Sequence, residues 1–178
     1  MPRRTIGAAT ILLSTTLLAG ILSCALTIPA SAQVDPVMES KTSDLKAREA
    51  GVRHNMRMVQ LAADTYQIYN KGKYPIAIDN AFKSYSMDGK QDNKTPGKPV
   101  FNAFTNTEFW PTLGKPSDIA AIRAGQSFKI SPGSIIYVPI DNGKSYAIVG
   151  GDADGQPIKE SDSSKPMIIV PNDTDFVD

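Results

Sequence analysis

Asp152, Asp154 and Asp162 are the residues of this 178-residue chain whose type and spacing best suit chemistry. Carboxylates one residue apart beside a turn offer oxygen ligands to a hard cation such as calcium, with Asp162 as a more distant third. An EF-hand frame does not fit them. Counting Asp152 as position 1 puts Gln156 at position 5 and Ser163 at position 12, where a bidentate Glu belongs. The competing reading is an Asp-Gly turn at Asp154-Gly155, which needs a positive φ and no metal, and the residues favour it. The single histidine, His54, lacks company: a catalytic triad needs a positioned nucleophile and acid, and a zinc site needs several His or Cys ligands. The chain has no Gly-x-Ser-x-Gly, no phosphate-cradling Gly-rich loop and no His-Glu-x-x-His, and no local motif supports a glycosidase carboxylate pair. Gly150-Gly151 reads as a strand end. The expectation is a non-enzymatic protein with no cofactor, calcium being the one candidate ion.

Recognition is the other chemistry on offer. Leu45, Val52, Met56, Val59, Ala63, Tyr66 and Asn70 follow spacings of 7, 4, 3, 4, 3 and 4, one stripe of a helix at about 100° per residue. His54 lies about 180° from that stripe and should face solvent or a partner. Met58, Leu61, Thr65 and Ile68 form a weaker second stripe. Such stripes are usually core, but Met58, Leu61 and Ile68 are also candidate partner-binding residues. Trp110 is another, within a cluster of Phe101, Phe104 and Phe109 that is expected to supply buried anchors and otherwise to form a binding surface.

The elements that must position these residues are legible in outline. Ser43 or Asp44 can cap a helix over Asp44 to Asn70, preceded by a polar tether over 33–43. Gly72 can close the helix in the left-handed conformation and Pro75 forbids its resumption. From Ile76 to Gly125 the breakers Asp88-Gly89, Pro96-Gly97, Pro111, Gly114 and Pro116 predict a loop-rich middle with short strands and a short helix over Ser117 to Arg123. Ser127 to Ile130, Ser134 to Ile140, Ser145 to Val149 and Met167 to Val170 read as antiparallel strands joined by hairpin turns. The fold class is α+β: one long N-terminal helix packed on a C-terminal antiparallel sheet, a single domain over 44–178.

Residues 1–32 read as a targeting segment. Arg3 and Arg4 precede an apolar run from Ile6 to Ile28, and Ala30-Ser31-Ala32 has the form read by signal peptidase. The run is also long enough for an uncleaved membrane anchor, and Ile21-Leu22-Ser23-Cys24 offers a lipobox reading. Cys24 is the only cysteine, so no internal disulfide can form and the core must hold the fold. Without Arg3 and Arg4, 17 of the 19 basic residues face 18 acidic ones. That balance gives no field to hold a phosphate backbone, so nucleic acid is not an expected partner.

Two stretches carry a family resemblance. "AREAGVRHNMRMVQLAADTYQIYNKGKYP", residues 47–75, resembles the soluble half of the long helix in type IV pilins and the major pseudopilin of type II secretion. "PGSIIYVPIDNGKSYAIVGGDADGQPI", residues 132–158, is similar to the sheet that follows it in that family. The resemblance implies a fibre-subunit spine with an exposed head, self or other pilin-like subunits as partners, and calcium in the C-terminal loop of the secretion branch. The N-terminus is atypical: the fifth residue after Gly7 is Leu12, where a prepilin has Glu. The functional expectation is an exported protein of the bacterial envelope, periplasmic or extracellular or anchored in the inner membrane. It would act through protein contacts in a fibre or secretion assembly. The alternative is a soluble secreted module that uses the aromatic loop 101–110 to bind a small molecule or glycan.

Overall fold

A computed structural model of the protein describes residues 36–161 and 163–171. The targeting segment 1–32, with Cys24 and the Ala32 cleavage point, lies outside them. Among the described residues no helix is long and apolar enough to cross a membrane.

Helix α1 runs Pro36–Tyr69, eight residues further toward the N-terminus than the capping residues at 43 and 44 suggest. Most of the expected tether is therefore helical. Proline suits a first helical turn, where its missing N–H has no intrahelical partner anyway, and nothing between it and Asp44 breaks a helix. Ser43 and Asp44 sit in mid-helix, and Asp44 pairs with Arg48 one turn on at 2.9 Å. The helix ends as the sequence implies, with Gly72 at φ 75° and its N–H donating to Gln67 O at 3.0 Å. Lys71, at φ 57°, enters the left-handed region one residue earlier.

The predicted stripe is buried from Val52 onward: Val52, Met56, Val59 and Ala63 are core, joined by Ala62 from outside the stripe, with Tyr66 half-buried beside them. Leu45, at the upstream end of the stripe, is 39% exposed. A four-residue helix α2, Asn80–Lys83, is capped by Asp79, whose Oδ1 accepts the Phe82 N–H at 3.0 Å, and it delivers Phe82 into the same core. Strands β1, Val100–Asn102, and β2, Thr107–Phe109, form a short antiparallel ribbon. The main sheet has the order β3-β4-β5, from Thr112–Leu113, Ile135–Ile140 and Ser145–Gly150.

This sheet is mixed, which corrects the wholly antiparallel expectation. β4 and β5 form the predicted hairpin, but β3 runs parallel to β4, and helix α3, Pro116–Arg123, lies in the crossover between them. Parallel pairing follows from that crossover, because two parallel neighbours cannot be joined by a tight turn. The alternation along the hairpin then serves two cores. Ile135, Tyr137, Tyr146 and Ile148 face α1, while Val138, Ala147 and Val149 pack with Ile119 and Ile122 of α3. A sheet covered on both faces explains why β4 and β5 read as nearly unbroken apolar runs.

Two predicted strands are not formed. Residues 127–130 make a single backbone bond of this kind, Ile130 N–H to Gly155 O at 3.0 Å, and Phe128 and Ile130 serve the α3 core instead. Residues 167–170 pair with the sheet at one position, where Ile169 and Ile148 exchange both bonds at 2.8 and 3.0 Å. Pro166 and Pro171 flank that segment and cannot donate to a ladder.

Candidate functional site

Phe101, expected as a buried anchor, is instead 52% exposed, and it stands at the mouth of a cavity of about 300 Å³. Helix α1 supplies one wall through His54, Asn55, Met58 and Val59. The floor includes Phe82, held by the short capped helix, and the opposite wall is the β1–β2 region with Val100, Glu108 and Trp110. Met87 and Lys98 close the remaining side.

Local bonds fix this wall in place. Asn55 is buried on α1, and its Nδ2 donates to Phe101 O at 2.6 Å, tying β1 to the helix. Lys83 Nζ lies 5.2 Å from the centroid of the Trp110 ring, a cation-π contact made by a residue that does not line the cavity. Lys98 Nζ pairs with Asp88 Oδ2 at 2.6 Å. Met87 and Lys98 belong to a loop that closes on itself: Lys98 N–H donates to Met87 O at 2.6 Å, Gly97 N–H to Lys83 O at 2.9 Å, and Gln91 N–H to Ser84 O at 2.9 Å. The buried Ser84 hydroxyl also accepts the Asn93 N–H at 3.1 Å.

Of the four candidate partner residues, the cavity unites Met58 and Trp110. Leu61 and Ile68 do not line it; they remain 59% and 73% exposed on α1. His54 is exposed on the mouth side of the helix, where its angle from the buried stripe places it. Met87 and the loop that carries it had no signal in periodicity, because the loop is defined by bonds to Ser84 and not by a pattern of apolar residues.

The acidic cluster has a different geometry. Asp152 Oδ1 accepts the backbone N–H groups of Asp154 at 2.9 Å and Gln156 at 2.8 Å, and Gly155 takes φ 70°. Asp152 is thus the organiser of a closed turn, the Asp-Gly reading. Asp154 is exposed, and its backbone carbonyl lies 3.4 Å from Lys129 Nζ. Asp162 lies outside the described residues. Among the described residues no three His, Cys, Asp or Glu side chains group closely enough to hold a metal ion.

A buried tyrosine system backs α1. Tyr146 donates to Asp64 Oδ1 at 2.8 Å and Tyr137 to Pro75 O at 3.0 Å, and their rings stack at 5.5 Å between centroids. Burial pushes the Asp64 carboxyl above its ordinary range, with the Tyr146 hydrogen bond opposing it. Burial likewise drives both phenols far above theirs. These phenols stay protonated and act as struts between helix and sheet. Comparison with protein-family models, curated proteins and solved structures found no match to this chain.

Proposed function

We propose that this is a non-enzymatic, extracytoplasmic, pilin-like protein that acts through protein contacts in an envelope fibre or secretion assembly. The observation that carries the reading is the length of α1 beyond its own core. Core packing begins at Val52, sixteen residues after Pro36, so about 24 Å of helix precedes it at roughly 1.5 Å per residue. Every side chain from Ser40 to Ala47 is exposed, and Met38 is 63% exposed. A helix of this length whose described side chains stand so exposed suits a spine that is covered by other subunits. The exposed Leu61 and Ile68 extend the same unpartnered character along the helix.

The test is site-specific photocross-linking from Leu45 in the native host. Assembly predicts covalent adducts with a second copy or another pilin-like subunit in the envelope fraction. Recovery of only uncrosslinked soluble monomer sinks the reading. The second reading, a secreted small-molecule binding module, is favoured by the cavity beside Trp110.

A further inference from the structure

We propose that the cavity beside Trp110 binds a small neutral aromatic molecule carrying one hydrogen-bond donor, of the phenol or indole class; the proposal rests on the binding-module reading. Size sets the first limit. A volume of about 300 Å³ is at the lower end of ligand pockets, enough for one or two rings and too small for a helix or an oligosaccharide.

The wall chemistry sets the second. Trp110, Phe101 and the thioethers of Met58 and Met87 converge on the space, and sulfur and π-faces both favour an aromatic guest over an aliphatic one. Met87 and Phe101 are 53% and 52% exposed at the mouth, so an occupant would cover apolar surface now facing water. Lys83 braces the indole of Trp110 without lining the cavity.

Polarity sets the third. Asn55 is a buried polar residue of the wall, and with its Nδ2 committed to Phe101 O, its Oδ1 is the acceptor it has left. A donor on the guest would satisfy it. Among the described lining residues, Lys98 is paired with Asp88 and Glu108 adds a negative charge, which disfavours an anionic guest. Lys83 beside Trp110 opposes a cationic one.

Trp110 is the only tryptophan, so its emission reports on this cavity alone. The experiment titrates the protein purified from its host with phenol, toluene, benzoate and hexanol, following Trp110 emission and the methyl NMR signals of Met58 and Met87. The expected result is a saturable response to phenol, with toluene at least about fivefold weaker because it lacks the donor, the worth of one hydrogen bond, and with benzoate and hexanol also weaker, the first because of its charge and the second because it has no ring. Phe101→Ala and Met87→Gln alter exposed side chains that the fold does not need, and each should weaken phenol about fivefold. Toluene or hexanol binding as tightly as phenol overturns the ligand class while leaving a binding cavity. No response to any probe, or a phenol response that neither variant weakens, overturns the cavity as a binding site altogether.

Discussion

Asp64 and Gly150 show how single residues set the helix-to-sheet distance. Asp64 reaches from α1 to the fully buried Tyr146 hydroxyl, and burial raises its pKa. A carboxyl whose folded pKa lies above its unfolded one favours folding while protonated, and this contribution is lost as pH rises through the folded value. Asp64→Asn keeps an acceptor for Tyr146 without a charge. It should therefore raise the melting temperature at neutral pH, with the gain over wild type vanishing below the ordinary aspartate range. Asp64→Ala should instead lose about 1–3 kcal/mol, because the buried phenol is left without its acceptor. Chemical denaturation across pH separates the two variants. Gly150 is the point of closest approach: a Cβ there would lie 2.5 Å from Val52 Cγ1 and 2.8 Å from Met56 Sδ. Gly150→Ala should cost about 1–3 kcal/mol by overpacking, and Gly150→Ala combined with Val52→Ala should cost less than the sum of the single changes. Urea midpoints for the four proteins of that cycle check it. The sequence marks Gly150-Gly151 as a strand end, since a close approach between Gly150 and Val52, 98 residues apart, leaves no local trace.

At the scale of elements, periodic signals survived and cooperative ones did not. The buried stripe of α1, the β4–β5 hairpin and helix α3 are legible because each is written in the spacing of neighbouring residues. The parallel β3–β4 pair and the single bridge at Ile169 depend on a crossover and on flanking prolines, which spacing does not encode. The candidate cavity was legible in Met58, Trp110 and the aromatic loop 101–110 that carries Phe101, whereas its closing side is a loop built on Ser84. That loop is a cooperative unit. Asp92 accepts the backbone N–H groups of Thr95 and Lys94, with the Thr95 hydroxyl added, and this pulls its pKa down to about 2. Asp88, Gln91 and Asn93 all adopt positive φ to close the path. Removing the central hydroxyl with Ser84→Ala should cost about 1 kcal/mol. Limited proteolysis should then cut within residues 88–95 while β4 and β5 remain protected; global unfolding instead would mean that the loop and the core are not separable.

At the scale of the molecule, the division of α1 at residue 51 is the feature on which the proposed assembly role turns. Gly51 immediately precedes Val52, the first core residue of the helix, so a weak helix former stands where tertiary support begins. Upstream of it lie about fifteen residues of helix whose interactions among the described residues are backbone bonds and short-range pairs such as Arg48–Asp44, a length that is marginal in water. Hydrogen exchange on the free protein should therefore show rapid exchange from Met38 to Ala50 and strong protection from Val52 to Tyr66. Gly51→Ala is sterically tolerated, since a Cβ there would meet Ala103 Cβ at 3.9 Å, an ordinary contact. Continuing the helix through alanine should raise protection of the upstream segment about fivefold, the equivalent of roughly 1 kcal/mol. In an assembled fibre or complex the upstream amides should become as protected as the core, because partner subunits would then supply the packing that the head does not. Equal protection on both sides of Gly51 in the free protein would show that the upstream helix is stable without partners, and it would remove the physical need for assembly.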